Sequence, residues 1–187
     1  MSVPTTISAL NFSGVYTQNN SLSDASSLTA MTKAQGVSEE HLKVFAKASI
    51  TLTIKHTTAN GVETIEEEYK SDVSDVDDRL ELLELGAPER TAESKIIGET
   101  AVSAARVLLK DVEEASLIGG WDKVTEEHGL VLVTLRGASG NDWTSKMAQG
   151  FQEVGGERRF VRRIAFTSGV GEKHTACLVF DYQGPAN

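Results

Sequence analysis

Four arginines stand within six residues at Arg158-Arg159-Phe160-Val161-Arg162-Arg163. Guanidinium groups hold carboxylates and other oxyanions in a planar fork. On a strand, Arg158, Phe160, Arg162, Ile164 and Phe166 share one face, and Arg159, Val161, Arg163 and Ala165 share the other. The Phe/Ile face is expected inside, which takes Arg162 with it. A buried arginine needs a counter-charge, because isolated buried charge is prohibitively expensive. A ligand's acid or enolate meets that need, and so does an inward carboxylate such as Glu67. The alternative, in which the arginines pair with acidic strands outside, stays open.

Two more strand-like runs carry polar groups on an apolar face. Between Asp142 and Glu153 the odd positions are Trp143, Ser145, Met147, Gln149 and Phe151. Gln149 there either orients a ligand carbonyl or bonds a neighbouring backbone group. Near the end of the chain His174, Ala176, Leu178, Phe180 and Tyr182 share a face. A buried Tyr182 hydroxyl needs a partner, and a ligand oxygen is one candidate. His174 titrates near neutrality and suits acid–base work, unless it is a solvated rim residue beside the Gly169–Gly171 turn. His56 is similarly placed near a strand end, whereas His41 and His128 lie on polar stretches. The expected ligand contacts are therefore Tyr16, Trp143, Met147, Gln149, Phe160 and Phe180. The expected catalytic groups, if there is turnover, are Arg162, Tyr182 and His174.

Other chemistries lack their motifs. There is no GxGxxG, GxxxxGK[ST], HExxH or GxSxG. The four histidines are scattered without a helical metal-binding pair, and the single cysteine, Cys177, has no evident base beside it. No cofactor and no metal are expected.

The elements that must position these side chains follow from periodicity. Residues 1–8 are polar and aperiodic, and are expected as a loose arm. Leu10–Thr17 opens a strand. Ser21, Ser23 and Asp24 offer helix N-caps before Leu28, Met31 and Ala34. Gly36 fits a helix end, and Ser38-Glu39-Glu40 starts a second helix with Leu42, Phe45 and Ala46 on its apolar stripe. Residues 23–48 thus form a helical hairpin. From Ser49 the period becomes two: Ile50, Leu52 and Ile54 alternate with Thr51, Thr53 and Lys55. Asn60-Gly61 is a hairpin turn leading into Val62–Tyr69. Asp72–Asp78 reads as a loop. Arg79–Leu85 and Thr91–Gly98 are expected strands, and Ser103–Val112 fits helix or strand. Gly129–Arg136, Trp143–Glu153, Arg158–Thr167 and Lys173–Tyr182 are the clearest strands, with turns at Gly137–Asn141, Gly155-Gly156 and Gly169–Gly171. One mainly β domain over 1–187 follows. Its expected form is an antiparallel up-and-down barrel of about nine or ten strands, with the helical hairpin as a lid after the first, because closure removes exposed edges.

Net charge is −9. Residues 60–99 hold 13 Asp+Glu against 4 Lys+Arg and so account for all of it. Such a chain is poorly suited to phosphate backbones, so no nucleic acid partner is expected. No apolar run approaches 18 residues and there is no leader-like start, so no stable membrane insertion is expected and the cytoplasm is the expected location. The oligomeric state stays open.

Phe12-Ser13-Gly14-Val15-Tyr16 resembles the opening Phe-x-Gly-x-Trp of intracellular fatty acid-binding proteins, which are calycins, with Tyr16 at the tryptophan position. Leu178–Tyr182 resembles their last strand, with Tyr182 matching a ligand-binding tyrosine and Phe180 at the arginine position. Leu10–Gly14 and Gly156–Arg163 are also similar to a set of fungal lipocalin-like proteins, which can sit beside natural-product pathways. The resemblance implies a lidded calycin barrel around a small, mostly apolar organic molecule. A cofactor-free cyclase, isomerase or lyase in the same cup is its enzymatic counterpart. A third reading makes the acidic 60–99 stretch a docking surface for a basic protein.

Overall fold

Alternating side chains set the architecture: strands with one apolar face must find a common interior. The computed structural model describes residues 2–45, 47–73, 78–94, 97–137 and 142–186. Ten antiparallel strands run as β1 (Gly14–Gln18), β2 (Ile50–Ala59), β3 (Val62–Ser71), β4 (Arg79–Glu84), β5 (Arg90–Ser94), β6 (Gly98–Val107), β7 (Leu130–Gly137), β8 (Thr144–Val154), β9 (Glu157–Thr167) and β10 (Lys173–Gly184). The sheet order is β4-β3-β2-β1-β10-β9-β8-β7-β6-β5. The expected up-and-down β fold with one helical hairpin after the first strand is the one found. The ambiguous Ser103–Val112 stretch resolves into the end of β6 and a single 3-10 turn, Leu109–Asp111. At the β2–β3 hairpin Asn60 and Gly61 both take positive φ, 52° and 80°, the geometry that suits the strands' right-handed twist. The expected Thr91–Gly98 strand stops at Ser94, and Gly98 already opens β6. Residues 46, 74–77, 95–96 and 138–141, which include most of the Asp72–Asp78 loop and of the Gly137–Asn141 turn, lie outside the described residues.

The sheet curls until β4 approaches β6, but no ladder joins β4 to β5. Side chains and single backbone bonds span the gap instead. Arg90 Nη2 donates to Leu82 O at 2.8 Å, and Gly86 N–H donates to Ala104 O at 2.8 Å. Arg106 on β6 pairs with Glu63 on β3 at the closed end.

The helices α1 (Ala25–Ala34) and α2 (Glu39–Phe45) follow β1. Asp24 stands at the N-cap of α1 as expected, but neither its side chain nor that of Ser23 bonds a helix N–H. Their side chains accept the N–H groups of Val179 and Cys177 at 3.0 and 2.9 Å. They thereby stitch the start of the hairpin to β10, where the β1 ladder has ended. Met31 and Leu28 of α1 pack with Trp143, Phe166 and Ala176 over one side of the mouth.

The first strand, expected over Leu10–Thr17, begins only at Gly14, and two further segments depart from the sequence expectation. The N-terminal arm is docked rather than loose: Val3 N–H donates to Arg158 O at 2.8 Å, and Val3 and Ala9 are buried in the core. Residues 108–129, which contain the short helix α3 (Lys123–His128), form no strand. They lie as a strap over the outer face of β7–β10, packing Val112, Leu117 and Trp121 on Ala148, Val161 and Val179. A side chain at Gly150 would meet the Trp121 ring 2.9 Å away and Thr125 at 2.8 Å, so the strap lies closely on bare backbone. No helix among the described residues is long and apolar enough to cross a membrane.

Candidate functional site

The β8–β9 hairpin presents its inner face as expected. Trp143, Gln149, Phe151, Phe160, Arg162 and Phe166 are all buried, and Gln149 stands directly across from Arg162. Alternation therefore splits the arginine cluster. Arg159 and Arg163 point outward, to Asp181 and Glu157 and to Gln152 respectively. Arg158 sits at the rim of the closed end on Asp122 and the carbonyls of Pro4 and Ile7. Arg162 enters the barrel, where only 3% of it is exposed.

Of the two counter-charges expected for Arg162, the structure holds the inward carboxylate. Arg162 Nη2 donates to Glu67 Oε1 at 2.7 Å, and Nη1 to the Tyr69 hydroxyl at 2.7 Å. The Tyr69 hydroxyl donates in turn to Glu67 Oε2. Burial works against the Arg162 charge, but Glu67 and Tyr69 outweigh it and hold the guanidinium protonated. Burial also pushes the Tyr69 phenol well above its ordinary range. The guanidinium carbon lies 5.5 Å from the ring centres of Tyr69, Phe160 and Phe180, within cation–π range.

Beside this satisfied cluster are polar atoms with nothing to bond. Both amide atoms of Gln149, the Trp143 indole N–H and Arg162 Nε–H are buried without a hydrogen-bond partner among the described residues. Gln149 thus does not bond a neighbouring backbone group. Each such orphan costs about 1–3 kcal/mol. Gln149 and Arg162 are cross-strand partners, whereas Trp143 lies six positions away towards the mouth, beside Phe166.

Two cavities lie elsewhere in the barrel, and neither is lined by Gln149, Trp143 or Arg162. A cavity of about 440 Å³ occupies the β4–β5 gap, lined by Glu81, Ala92, Thr100, Val102 and Leu135. Glu81 is the cross-strand partner of Glu67 and pairs with Arg79 at 3.0 Å, while the Arg79 guanidinium lies 4.4 Å over the Tyr69 ring. A second cavity of about 300 Å³ lies beneath the helices, against Leu28, Leu42, Phe45, Ile50 and Leu178. Leu178 is the cross-strand partner of Arg162.

The other expected contacts sit deeper. Phe160 is ringed by Phe12, Tyr16, Phe151 and Phe180 at centroid distances of 5.0–5.7 Å. Tyr16 donates to Phe12 O at 2.7 Å, and Tyr182 packs 5.6 Å from it. These rings are a packed floor, so Tyr16, Phe160 and Phe180 close the cup from below. Met147 lies half-buried on the inner wall.

The expected catalytic groups do not converge. Arg162 faces Leu178, four residues from His174 and from Tyr182, or roughly 13 Å each way at about 3.3 Å per residue. His174 is half-buried against Phe166 at the mouth, and Tyr182 is at the floor. His56 belongs to the floor as well: its Nδ1 accepts the Phe12 N–H at 3.1 Å and its Nε2 meets Glu63 at 2.7 Å. Burial, only partly opposed by Glu63, lowers its pKa below the ordinary 6.5. Cys177 is on the outer face, where burial pushes its thiol up. Sequence reading passed over Tyr69, Glu81 and Arg79. The available signal was the Ile65–Glu67–Tyr69 alternation, hidden within the acidic run Glu66-Glu67-Glu68.

No protein-family model and no curated protein sequence matches the chain. Solved structures do. The REP1-NXSQ fatty acid transporter, in a Tyr-to-Phe mutant, superposes with a TM-score of 0.54 at 10% identity, covering 91% of this chain and 97% of that one. Human cRBP IV superposes with a TM-score of 0.51 at 11% identity, covering 92% and 98%. At such identities the likeness is one of fold.

Proposed function

We propose, from the premise that this chain is a calycin-like barrel, that it binds a small, mostly apolar organic molecule with a polar end directed at Gln149. One observation carries the reading: three buried, unpartnered polar atoms, both amide atoms of Gln149 and Arg162 Nε–H, on the inner wall beside the Arg162–Glu67–Tyr69 cluster. A ligand's polar end would satisfy them, and its apolar body would fill the space at the gap or beneath the helices. The fold likeness to a protein described as a fatty acid transporter supports a cup of this kind. Fold alone leaves the cargo open.

The test begins with native mass spectrometry of freshly purified protein and identification of any released compound. Titration with the neutral apolar dye Nile red follows. A retained apolar compound, or dye binding that it competes away, is expected. Gln149→Leu is expected to weaken ligands with a polar end by about tenfold, the equivalent of about one buried hydrogen bond. A clean apo mass together with no dye binding would remove the proposal. The enzymatic counterpart, a cyclase, isomerase or lyase, draws less support, since Arg162, Tyr182 and His174 occupy three different heights of the barrel.

A further inference from the structure

We infer that Glu67 serves as a built-in carboxylate which restricts the barrel to uncharged ligands whose polar end both donates and accepts hydrogen bonds, such as a hydroxyl or a primary amide. The inference rests on the binding reading above and adds the charge class of the ligand.

Three observations carry it. First, the inner arginine is already spent. Both terminal nitrogens of Arg162 are engaged, by Glu67 and Tyr69, and both Glu67 oxygens are engaged, by Arg162 and Tyr69. Glu67 itself is fully buried. The protein therefore supplies from β3 the anion that a lone inner arginine would take from a ligand. Second, the next inward carboxylate is matched too. Glu81 lies across from Glu67 and is paired with Arg79, so the inner wall holds no uncompensated positive charge there. Third, the groups left over beside the Arg162–Glu67 pair are the Gln149 amide and Arg162 Nε–H, on cross-strand partners. Together they offer donors and, in Gln149 Oε1, an acceptor.

A carboxylate brought to this place would be a second anion beside Glu67 in a region shielded from water, where like charges repel strongly. It also carries no proton for Gln149 Oε1. A hydroxyl or primary amide answers both sides of the Gln149 amide without adding charge. Glu67 is thus a specificity determinant that acts through Arg162.

The experiment compares dodecanol, dodecanamide and dodecanoate as competitors of Nile red at neutral pH, on the wild type and on Glu67→Gln. The wild type is expected to prefer the two neutral ligands. Glu67→Gln takes from Arg162 its carboxylate partner and is expected to shift the ratio towards dodecanoate by at least about tenfold, the scale of one buried hydrogen bond. Comparing ratios between variants cancels the ligands' different solubilities. A folded Glu67→Gln protein with an unchanged ratio overturns the role of Glu67. So does a wild type that binds dodecanoate more tightly than its neutral analogues. If Glu67→Gln does not fold, Gln149→Arg replaces it. That variant places an unpaired cation on the same wall and is expected to shift the ratio in the same direction, and no shift overturns the inference. A wild type that binds none of the three ligands and no Nile red fails earlier, by removing the binding reading itself.

Discussion

The wall made by β7–β10 and the wall at the β4–β5 gap are built from the same strands-and-turns sequence, yet one is double and the other is open. On the first, the outer face is sealed by the strap, with Leu117 and Trp121 packed on Ala148, Val161 and Val179. On the second, Leu80 and Leu82 of β4 are 66% and 54% exposed, no ladder links the edges, and Arg90, Gly86 and the Arg106–Glu63 pair do the joining. A continuous ladder with two buried faces resists local opening, whereas a few isolated bonds across an exposed edge do not. The barrel is therefore stiff where its polar inner wall must be held in place and compliant where it has space.

The comparison can be broken most severely at Trp121. Trp121→Ala removes a ring that is 5% exposed and hydrogen-bonded to Leu117 O, and is expected to cost about 3–5 kcal/mol in urea unfolding. Gly150→Val pushes the strap away from the outside and is expected to cost about 1–3 kcal/mol. A smaller loss at either position would mean that the strap is not a second layer. Acidification attacks the open side. His56 has a lowered pKa, so its contribution is whole above about 6.5 and is lost as pH falls from there through its folded value. Glu63 is also lowered, by Arg106 and His56 against the cost of burial, and its contribution is lost at still lower pH, below the ordinary 4.5. Thermal melts should show stability falling below pH 6.5, with His56→Gln flattening the upper part of that fall. Least is expected from Leu82→Ala on the exposed edge, within about 0.5 kcal/mol of wild type. A large loss there would show the gap to be a packed seam.

How much of this was legible in the sequence follows from what alternation encodes. A period of two tells which way a side chain faces, so the inward Trp143–Phe151 and Phe160–Phe166 faces were readable, and with them Arg162 and its dependence on a carboxylate such as Glu67. Alternation does not tell height. Tyr16, Phe160 and Phe180 face inward but lie at the floor, and His174 and Tyr182 share a face while standing about eight strand positions apart. The strap was hidden for a different reason. Its footprint on the barrel is small residues, Ala148 and Gly150, on the face that alternation assigns to solvent. Their burial depends on Trp121, in a segment with no strand period and only one short helix. The docked arm was missed likewise, because backbone bonds such as Val3 N–H to Arg158 O leave no mark in residue type.

The strand order has a further consequence for assembly. Every ladder joins strands adjacent in the chain except β1–β10. The polypeptide is thus two self-contained meanders, β1–β4 and β5–β10, zipped along one seam. Each meander can form from local pairings, and the seam must wait for both ends of the chain to meet, which makes it the slow step of folding. The Gly86–Glu89 connection between the meanders bridges strands that never pair. A chain severed there keeps every ladder, so two co-expressed fragments are expected to reassemble through β1 and β10 into the same vessel.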